Sequence, residues 1–230
     1  MEKKITILIP VYNEQKTLLK LLKEVSFLKV EHGAEIIVIN DGSIDNSKKI
    51  IEENETYYDQ FISYEKNKGK GFAIREGLKK SKGDYIIFQD ADLEYDPQDI
   101  MKFFELIDKF APDVILGSRF NYDRYSKSHS VMNKIGNLIL TNTFNILYNT
   151  TFTDIYSCYL CVKKKYINEN SLNANGFEQQ AEILTEVIKK GKSFFEVPIN
   201  YNGRSKEDGK KIRFYHFFPV FFKILLKRFY

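Results

Sequence analysis

The stretch YIIFQDADLEYDP, residues 85–97, predicts how this chain folds and where its site lies. Its first half is an apolar run of the length and composition of a buried β-strand. Its second half places four carboxylates at alternating positions, namely Asp90, Asp92, Glu94 and Asp96. Like charges at this density repel one another. The stretch therefore predicts a site with a bound counter-charge at the end of a strand.

Three other short apolar runs resemble this strand, at residues 5–9 (ITILI), 35–39 (EIIVI) and 113–116 (DVIL). Each is bounded by polar or turn residues, and helix-period segments such as residues 18–25 lie between them. This alternation predicts an α/β fold, in which a mostly parallel sheet is covered by helices on both faces. Ligands of such sheets bind beyond the carboxyl ends of the strands.

Length and composition favour one large globular domain. The 230 residues are 43% hydrophobic and 29% charged, and they contain no linker-like or repetitive segment, which excludes disordered and fibrous classes. The opening MEKKITILIP lacks the features of a signal peptide, and no apolar window is long enough to span a bilayer. The two cysteines argue against a disulfide scaffold and fit a reducing cytoplasm. We expect no nucleic-acid partner.

Polar loops follow three of the predicted strands. The first strand leads into PVYNE, residues 10–14, the second into NDGS, residues 40–43, and the third into Asp90 and Asp92. On an extended chain, two carboxylates at i and i+2 point to the same side and can converge on one hard cation. Oxygen ligands favour Mg²⁺ or Mn²⁺. A solvated acidic turn is the alternative, and Asp96 is expected only to cap a helix that begins at Pro97.

Other motifs carry weaker signals. The glycines of NKGKG, residues 67–71, could let backbone amides approach a phosphate or a base, and a flexible turn is the alternative. No Walker A loop or GxGxxG motif is present. The pair Cys158 and Cys161 is interpreted as buried thiols, and the histidines share no metal-ligand spacing.

Together these motifs resemble those of family-2 glycosyltransferases with the GT-A fold, and within them the polyprenyl-phosphate branch that includes dolichyl-phosphate mannose synthases. The resemblance rests on IPVYNE (9–14), VINDGS (38–43), NKGKGFAIREG (67–77), GDYIIFQDADLEYDP (83–97) and GSRF (117–120). Later segments, among them TDIYSCYLCVKKK and NGFEQQAEILTEV, extend it over nearly the whole chain.

The resemblance implies roles for individual residues. The donor-binding positions are Pro10, Tyr12, Glu14, Asp41, Lys70, Asp90, Arg204 and Lys210. The metal-binding positions, for Mg²⁺ or Mn²⁺, are Asp90, Asp92 and Glu94. The acceptor-binding positions are Arg119, Lys134 and Gln180. The catalytic positions are Asp92, Arg119 and Asp154. At Lys134 the branch commonly has arginine.

The activity that the resemblance implies is inverting, metal-dependent transfer of a hexose from a nucleotide sugar, of the GDP-mannose or UDP-glucose type, to a polyprenyl phosphate. A phosphate acceptor is already anionic at pH 7 and needs a cation such as Arg119 to hold it. Two alternatives stay open. The acceptor is a hydroxyl of a cell-surface glycan, with Asp154 as the base, or the protein binds nucleotide sugars without catalysis.

The C-terminal end suggests a membrane surface. We expect a catalytic domain at residues 1–212, followed by an amphipathic segment at 213–230 that is aromatic and basic and too short to span a bilayer. Residues 131–148 form a second amphipathic candidate, and packing on the core or in a homo-oligomer is the alternative for both. Pro219 argues against one straight C-terminal helix. The expected location is peripheral, at the cytoplasmic face of the membrane.

Overall fold

A single seven-stranded sheet forms the centre of the molecule. The computed structural model describes residues 4–120, 131–204, 211 and 214–229. Its strands are β1 (Ile5–Val11), β2 (Glu35–Asp41), β3 (Gln60–Tyr64), β4 (Tyr85–Phe88), β5 (Val114–Ser118), β6 (Leu160–Lys163) and β7 (Phe194–Pro198). They are ordered β3-β2-β1-β4-β6-β5-β7 across the sheet.

Helices cover both faces of this sheet. They are α1 (Leu18–His32), α2 (Ser47–Glu52), α3 (Lys70–Lys80), α4 (Ile100–Phe110), α5 (Val131–Tyr148), α6 (Gln179–Lys190) and α7 (Phe217–Phe229). Side chains of α1 and α4 pack in one core with alternate residues of β1, and those of α3, α5, α6 and α7 pack in the core on the other face. The predicted α/β class is confirmed.

The sheet is mixed rather than wholly parallel. Strands β1 to β4 form the predicted parallel units, with β1 paired to both β2 and β4. Strand β6 runs antiparallel between β4 and β5. The sequence pattern predicted neither β3 nor β7. Each residue of β3 is either partly buried or exposed, and each residue of β7 is partly buried. Strands in such positions need no continuous apolar run, which is the pattern that identifies a central strand.

The acidic motif leaves the sheet earlier than predicted. Strand β4 ends at Phe88, and Ala91 and Asp92 lie in a turn. Leu93 has a left-handed backbone with φ of 57°. The expectation that Asp92 continues an extended strand is therefore wrong. The predicted cap is confirmed, since the side chain of Asp96 accepts a hydrogen bond from Gln98 N at 3.0 Å.

The C-terminal helix α7 packs on α6 and α5. Its lysines Lys223 and Lys227 lie 3.3 and 3.2 Å from Glu182 on α6, and Tyr148 of α5 donates to Ile224 O at 2.9 Å. Pro219 sits in the first turn, where no backbone donor is needed, so the expected break does not occur. Among the helices of the described residues, none combines the length and apolarity needed to cross a bilayer.

The pairing of Glu182 with the lysines of α7 predicts a pH-dependent stability. Burial acts to raise the pKa of Glu182, but the Ala174 amide, Lys223 and Lys227 lower it below the usual 4.5. A lowered pKa means that this stabilisation is complete above pH 4.5 and is lost as pH falls through the folded-state pKa.

We therefore expect Glu182→Gln to lower the free energy of unfolding by about 2 kcal/mol at neutral pH. The difference from the unsubstituted protein shrinks below about pH 4. Urea unfolding at neutral pH and below about pH 4 measures this difference in the free energy of unfolding. The exposed Glu53, which pairs with Lys49 at 3.7 Å, supplies the control Glu53→Gln, for which we expect little change at either pH. A difference for Glu182→Gln that persists in acid would contradict the assignment.

Candidate active site

A cavity of about 550 Å³ lies at the carboxyl ends of β1, β2 and β4. It brings together nine of the residues predicted for the site, which are Pro10, Tyr12, Glu14, Asp41, Lys70, Asp90, Asp92, Glu94 and Arg119. The loops converge here because parallel strands place their carboxyl ends at one edge of a sheet. The predicted position of the site is thus the position of the cavity.

Asp41 ends β2 and is bound by the glycine-rich loop. Its carboxylate accepts hydrogen bonds from the backbone of Lys68 at 2.9 Å and of Gly69 at 2.8 Å, and from Asn67 Nδ2 at 2.9 Å. Gly69 has φ of 99°, which excludes most other residues. The amides that were expected to approach a ligand therefore hold Asp41 instead. Burial raises the pKa of Asp41, although these amides oppose the shift.

Lys70, the first residue of α3, neutralises Asp90. Its Nζ lies 2.5 Å from Asp90 Oδ1 and 3.6 Å from Cys158 Sγ. Burial acts to lower the pKa of Lys70, but Asp90 outweighs it and raises the pKa, so that this lysine stays charged. Burial raises the pKa of Cys158 to about 12. The interpretation of Cys158 and Cys161 as buried thiols is confirmed, but no sequence pattern indicated that Cys158 lines the cavity.

Asp92 and Glu94 have every carboxylate oxygen engaged. Asp92 Oδ1 accepts from Glu94 N at 3.1 Å, and its Oδ2 lies 3.1 Å from Arg204 Nη2. Glu94 accepts from the Tyr201 hydroxyl at 2.6 Å and from Arg204 N at 3.0 Å. Burial, followed by the charges of Asp90 and Glu94, raises the pKa of Asp92 to about 7. Among the described residues, the carboxylates of Glu14, Asp90, Asp92 and Glu94 outnumber the cations Lys70, Arg204 and Lys211 that pair with them.

Glu14 binds Arg204 and Lys211. Both of its oxygens lie 3.0 Å from terminal nitrogens of Arg204, and Lys211 Nζ lies 2.6 Å from Oε1. Lys211 also donates to Tyr12 O. Arg204 does not line the cavity itself, but it contacts Glu14 and Asp92, which do. Lys210, which the resemblance also assigned to the donor, lies outside the described residues.

The acidic cluster suits a hard divalent metal. Its donor atoms are carboxylate oxygens, the ligands that Mg²⁺ and Mn²⁺ prefer. Burial, and after it the charges of Asp90 and Glu94, raise the pKa of Asp92, and a bound cation would stabilise its ionised form. Asp90 and Asp92 are the residues that would hold it. Within residues 4–120, 131–204, 211 and 214–229, no three acidic, cysteine or histidine side chains are already arranged around one metal position.

Arg119 lines the cavity and is fixed from behind by Asp154. Its Nε and Nη2 lie 2.7 and 2.8 Å from the two oxygens of Asp154, which also accept from Arg119 N and from Asn137 Nδ2. Asp154 is completely buried and does not line the cavity. Its assignment as a catalytic base is therefore wrong, because it positions Arg119 and cannot reach an acceptor.

Two predicted acceptor residues also lie outside the cavity lining. Gln180 is buried and donates through Nε2 to Ser157 O and Ile155 O, so its role is to hold the loop before β6. Lys134 is exposed on α5. The cavity instead contains Phe177, Tyr215 and His216, which the sequence did not single out. Tyr215 and His216 belong to the aromatic C-terminal segment, and Phe177 belongs to the segment NGFEQQAEILTEV.

Most of this chain matches the model of a known protein family. The model for "Glycosyl transferase family 2" matches residues 6–169. The chain belongs to this family. It is 31% identical to a dolichol-phosphate mannosyltransferase of Pyrococcus furiosus, over 91% of this chain and 60% of that protein. It is 29% identical to a UDP-N-acetylglucosamine–dolichyl-phosphate N-acetylglucosaminyltransferase of Methanococcus voltae, over 98% and 96% of the two chains.

The fold agrees with a solved member of the GT-A class. Glucosyl-3-phosphoglycerate synthase from Mycobacterium tuberculosis, crystallised with Mn²⁺, UDP and phosphoglyceric acid, superposes with a TM-score of 0.74 at 16% identity, over 98% of this chain and 78% of that one. The predicted GT-A fold and family-2 branch are confirmed. The protein is a glycosyltransferase, and a purely binding role is set aside.

The ion pair of the partly buried Arg119 with the fully buried Asp154 predicts strong coupling between the two residues in stability. We expect Asp154→Asn to lower the free energy of unfolding by about 3 kcal/mol, because Arg119 keeps its charge without a partner. Arg119→Gln in the same chain removes that charge, so the double variant should be less destabilised than the sum of the two single variants. Urea unfolding of the unsubstituted protein, the two single variants and the double variant measures the free energies of this double-mutant cycle. Additive losses would show that the pair does not interact.

Proposed function

We propose that this glycosyltransferase transfers a hexose from a nucleotide sugar, of the GDP-mannose or UDP-glucose type, to a polyprenyl phosphate. The observation that carries the proposal is the position of Arg119, a partly buried guanidinium that lines the same cavity as the acidic cluster. One end of the cavity therefore suits a metal-bound diphosphate, and the other offers a cation to an anionic acceptor. The dolichyl-phosphate substrates in the names of its relatives support the same acceptor class.

The acidic end is proposed to receive the donor diphosphate. A divalent metal held there by Asp90 and Asp92 would supply Lewis-acid neutralisation of the leaving diphosphate. Lys70 keeps Asp90 ionised and so preserves it as a ligand. Pro10, Tyr12 and Asp41 line the part of the cavity next to this end, and we assign them to the nucleotide.

The acceptor end is proposed to hold the lipid phosphate on Arg119. Among the described contacts of its side chain with protein oxygens, those to Asp154 and Tyr156 O use Nε and Nη2. Nη1 is the nitrogen we assign to the acceptor phosphate. Asp154 holds the guanidinium plane in place, which limits the entropy lost when phosphate binds.

The proposed reaction is a single in-line displacement that inverts the anomeric centre. A phosphate oxygen of the acceptor forms a bond to the anomeric carbon while the bond from that carbon to the donor diphosphate breaks. The electron pair of the broken bond leaves with the nucleoside diphosphate. The attacking phosphate is already anionic near pH 7, so no proton has to be removed by a base.

A hydroxyl acceptor is the second candidate, and one observation favours it. His216 lines the cavity and packs against Phe177, with ring centroids 4.7 Å apart. Histidine is the commonest general base, and a hydroxyl nucleophile needs one. Since Asp154 cannot serve, His216 is the residue that distinguishes the two acceptors.

The test is a transfer assay with Mn²⁺ or Mg²⁺, a panel of nucleotide sugars, and undecaprenyl or dolichyl phosphate as acceptor. We expect a lipid-linked sugar. Arg119→Lys should raise the KM for the lipid phosphate about tenfold or more, because lysine lacks the planar fork that binds Asp154 and phosphate together. His216→Gln should retain most activity. Transfer only to a saccharide, together with a loss of about 10² or more in His216→Gln, would replace this proposal by the hydroxyl acceptor.

A lipid acceptor requires access to a membrane, and two packed helices offer a surface for it. Exposed apolar side chains form one row on α5, namely Val131, Met132, Ile135, Leu138 and Ile139. Another row lies on α7, namely Phe218, Phe222, Leu226 and Phe229. We call these residues the α5–α7 surface. Lys134 and Arg228 are exposed on the same helices and suit anionic headgroups. We propose that this surface lies on the membrane, at its cytoplasmic face.

Vesicle binding tests the α5–α7 surface. We expect the protein to sediment with vesicles that contain anionic lipid, and the double variant Phe222→Ser/Leu226→Ser to bind at least about tenfold more weakly, because two partly inserted side chains are lost. Val30 and Ile44 are 81% and 87% exposed elsewhere, so Val30→Ser/Ile44→Ser is the matched control and should bind normally. Equal losses in both double variants would contradict the assignment.

A further inference from the structure

Three carboxylates of the active site converge on one guanidinium. Terminal nitrogens of Arg204 lie 3.0 Å from both oxygens of Glu14 and 3.1 Å from Asp92 Oδ2, and Arg204 Nε lies 3.5 Å from Glu94 Oε1. The same nitrogen, Nη2, is shared between Glu14 and Asp92. The side chain is therefore a counter-ion shared by three acids and not the partner of a single one, while Lys70 pairs with Asp90.

The position of this guanidinium conflicts with a metal ion on Asp92. Mg²⁺ binds carboxylate oxygens at about 2.1 Å and requires a nearly complete shell of oxygen ligands. Arg204 Nη2 lies 3.1 Å from Asp92 Oδ2, and the other oxygen, Oδ1, is occupied by Glu94 N. A dication at Asp92 would thus meet a positively charged group at the same oxygen. The two cations repel each other and compete for one ligand.

The backbone holds Arg204 beside the cluster while its side chain is incompletely bound. Tyr201 forms an isolated bridge with Tyr95, Asn202 N donates to Glu94 O at 2.8 Å, and Arg204 N donates to Glu94 Oε1 at 3.0 Å. The buried Nε of Arg204, in contrast, has no hydrogen-bond acceptor among the described residues. The surrounding carboxylates neutralise the charge of the guanidinium, but its hydrogen bonds are incomplete. It can therefore exchange partners without leaving the site.

We propose that Arg204 is the resting-state counter-ion of the acidic site, that a divalent metal displaces its guanidinium from Asp92, and that the displaced guanidinium then binds the donor diphosphate. The inference rests on the proposed function, which supplies both the metal and the diphosphate. Arginine suits both roles because its planar fork binds carboxylate and phosphate oxygens in the same bidentate way. Metal and nucleotide then bind cooperatively through Arg204, and each strengthens the other by the same factor.

Binding of Mn²⁺ alone, measured by electron paramagnetic resonance of the free ion, tests the competition. Arg204→Gln should lower the Mn²⁺ dissociation constant about tenfold relative to the unsubstituted protein, because the internal competitor is gone. Arg204→Lys keeps the positive charge but loses the planar fork of arginine. Its Mn²⁺ dissociation constant should therefore lie between those of the unsubstituted protein and Arg204→Gln. Arg228 is exposed at the end of α7, so Arg228→Gln controls for the change in net charge and should bind Mn²⁺ as the unsubstituted protein does.

Nucleotide binding, measured by calorimetry, tests whether the displaced guanidinium of Arg204 binds the donor diphosphate. Mn²⁺ should tighten the binding of GDP or UDP by a larger factor in the unsubstituted protein than in Arg204→Gln, since only the former releases a guanidinium to the diphosphate. An Mn²⁺ dissociation constant that is unchanged or higher in Arg204→Gln, or no Mn²⁺ binding by either protein, overturns the inference. Neither measurement uses an acceptor or turnover. Failure to form a lipid-linked sugar would therefore overturn the proposed acceptor and leave this result intact.

Discussion

The repulsion between carboxylates at the ends of β1 and β4 is the constraint on which the site depends. Glu14, Asp90, Asp92 and Glu94 all line one cavity, and Asp92 is left with a pKa near 7 although cations surround the cluster. Such charge density is stable only with counter-ions in place. Distant parts of the chain therefore converge on this edge, because each supplies a cation or a hydrogen-bond donor to it.

The counter-ions come from two separate parts of the chain. Lys70 reaches Asp90 from the start of α3, and Arg204 and Lys211 reach Glu14 from the chain that follows β7. The acids with their counter-ions and the Asp154-bound Arg119 line one and the same cavity. The proposed transfer joins two anionic substrates, and this cavity offers separate groups for them, the acidic cluster for a metal-bound diphosphate and Arg119 for the acceptor phosphate.

Much of the site was predictable because the relevant signals are local. The strands that end at PVYNE, NDGS and the acidic motif are contiguous apolar runs, and parallel topology then brings their ends to one edge. Asp154 was assigned wrongly because a sequence motif does not show which way a side chain faces. The structure turns it away from the cavity and pairs it with Arg119.

The sequence by itself determined the α/β class, the central strands, the cap at Asp96 and the membership of the acidic cluster, since each follows from neighbouring residues and their periodicity. Only the tertiary structure decided which cation balances which acid. Arg204 and Glu14 are far apart in the chain, yet their atoms are 3.0 Å apart. Such pairing depends on how β7 and the chain beyond it return to the sheet edge, and no local pattern encodes that path. The tertiary structure also decided that His216 lines the cavity.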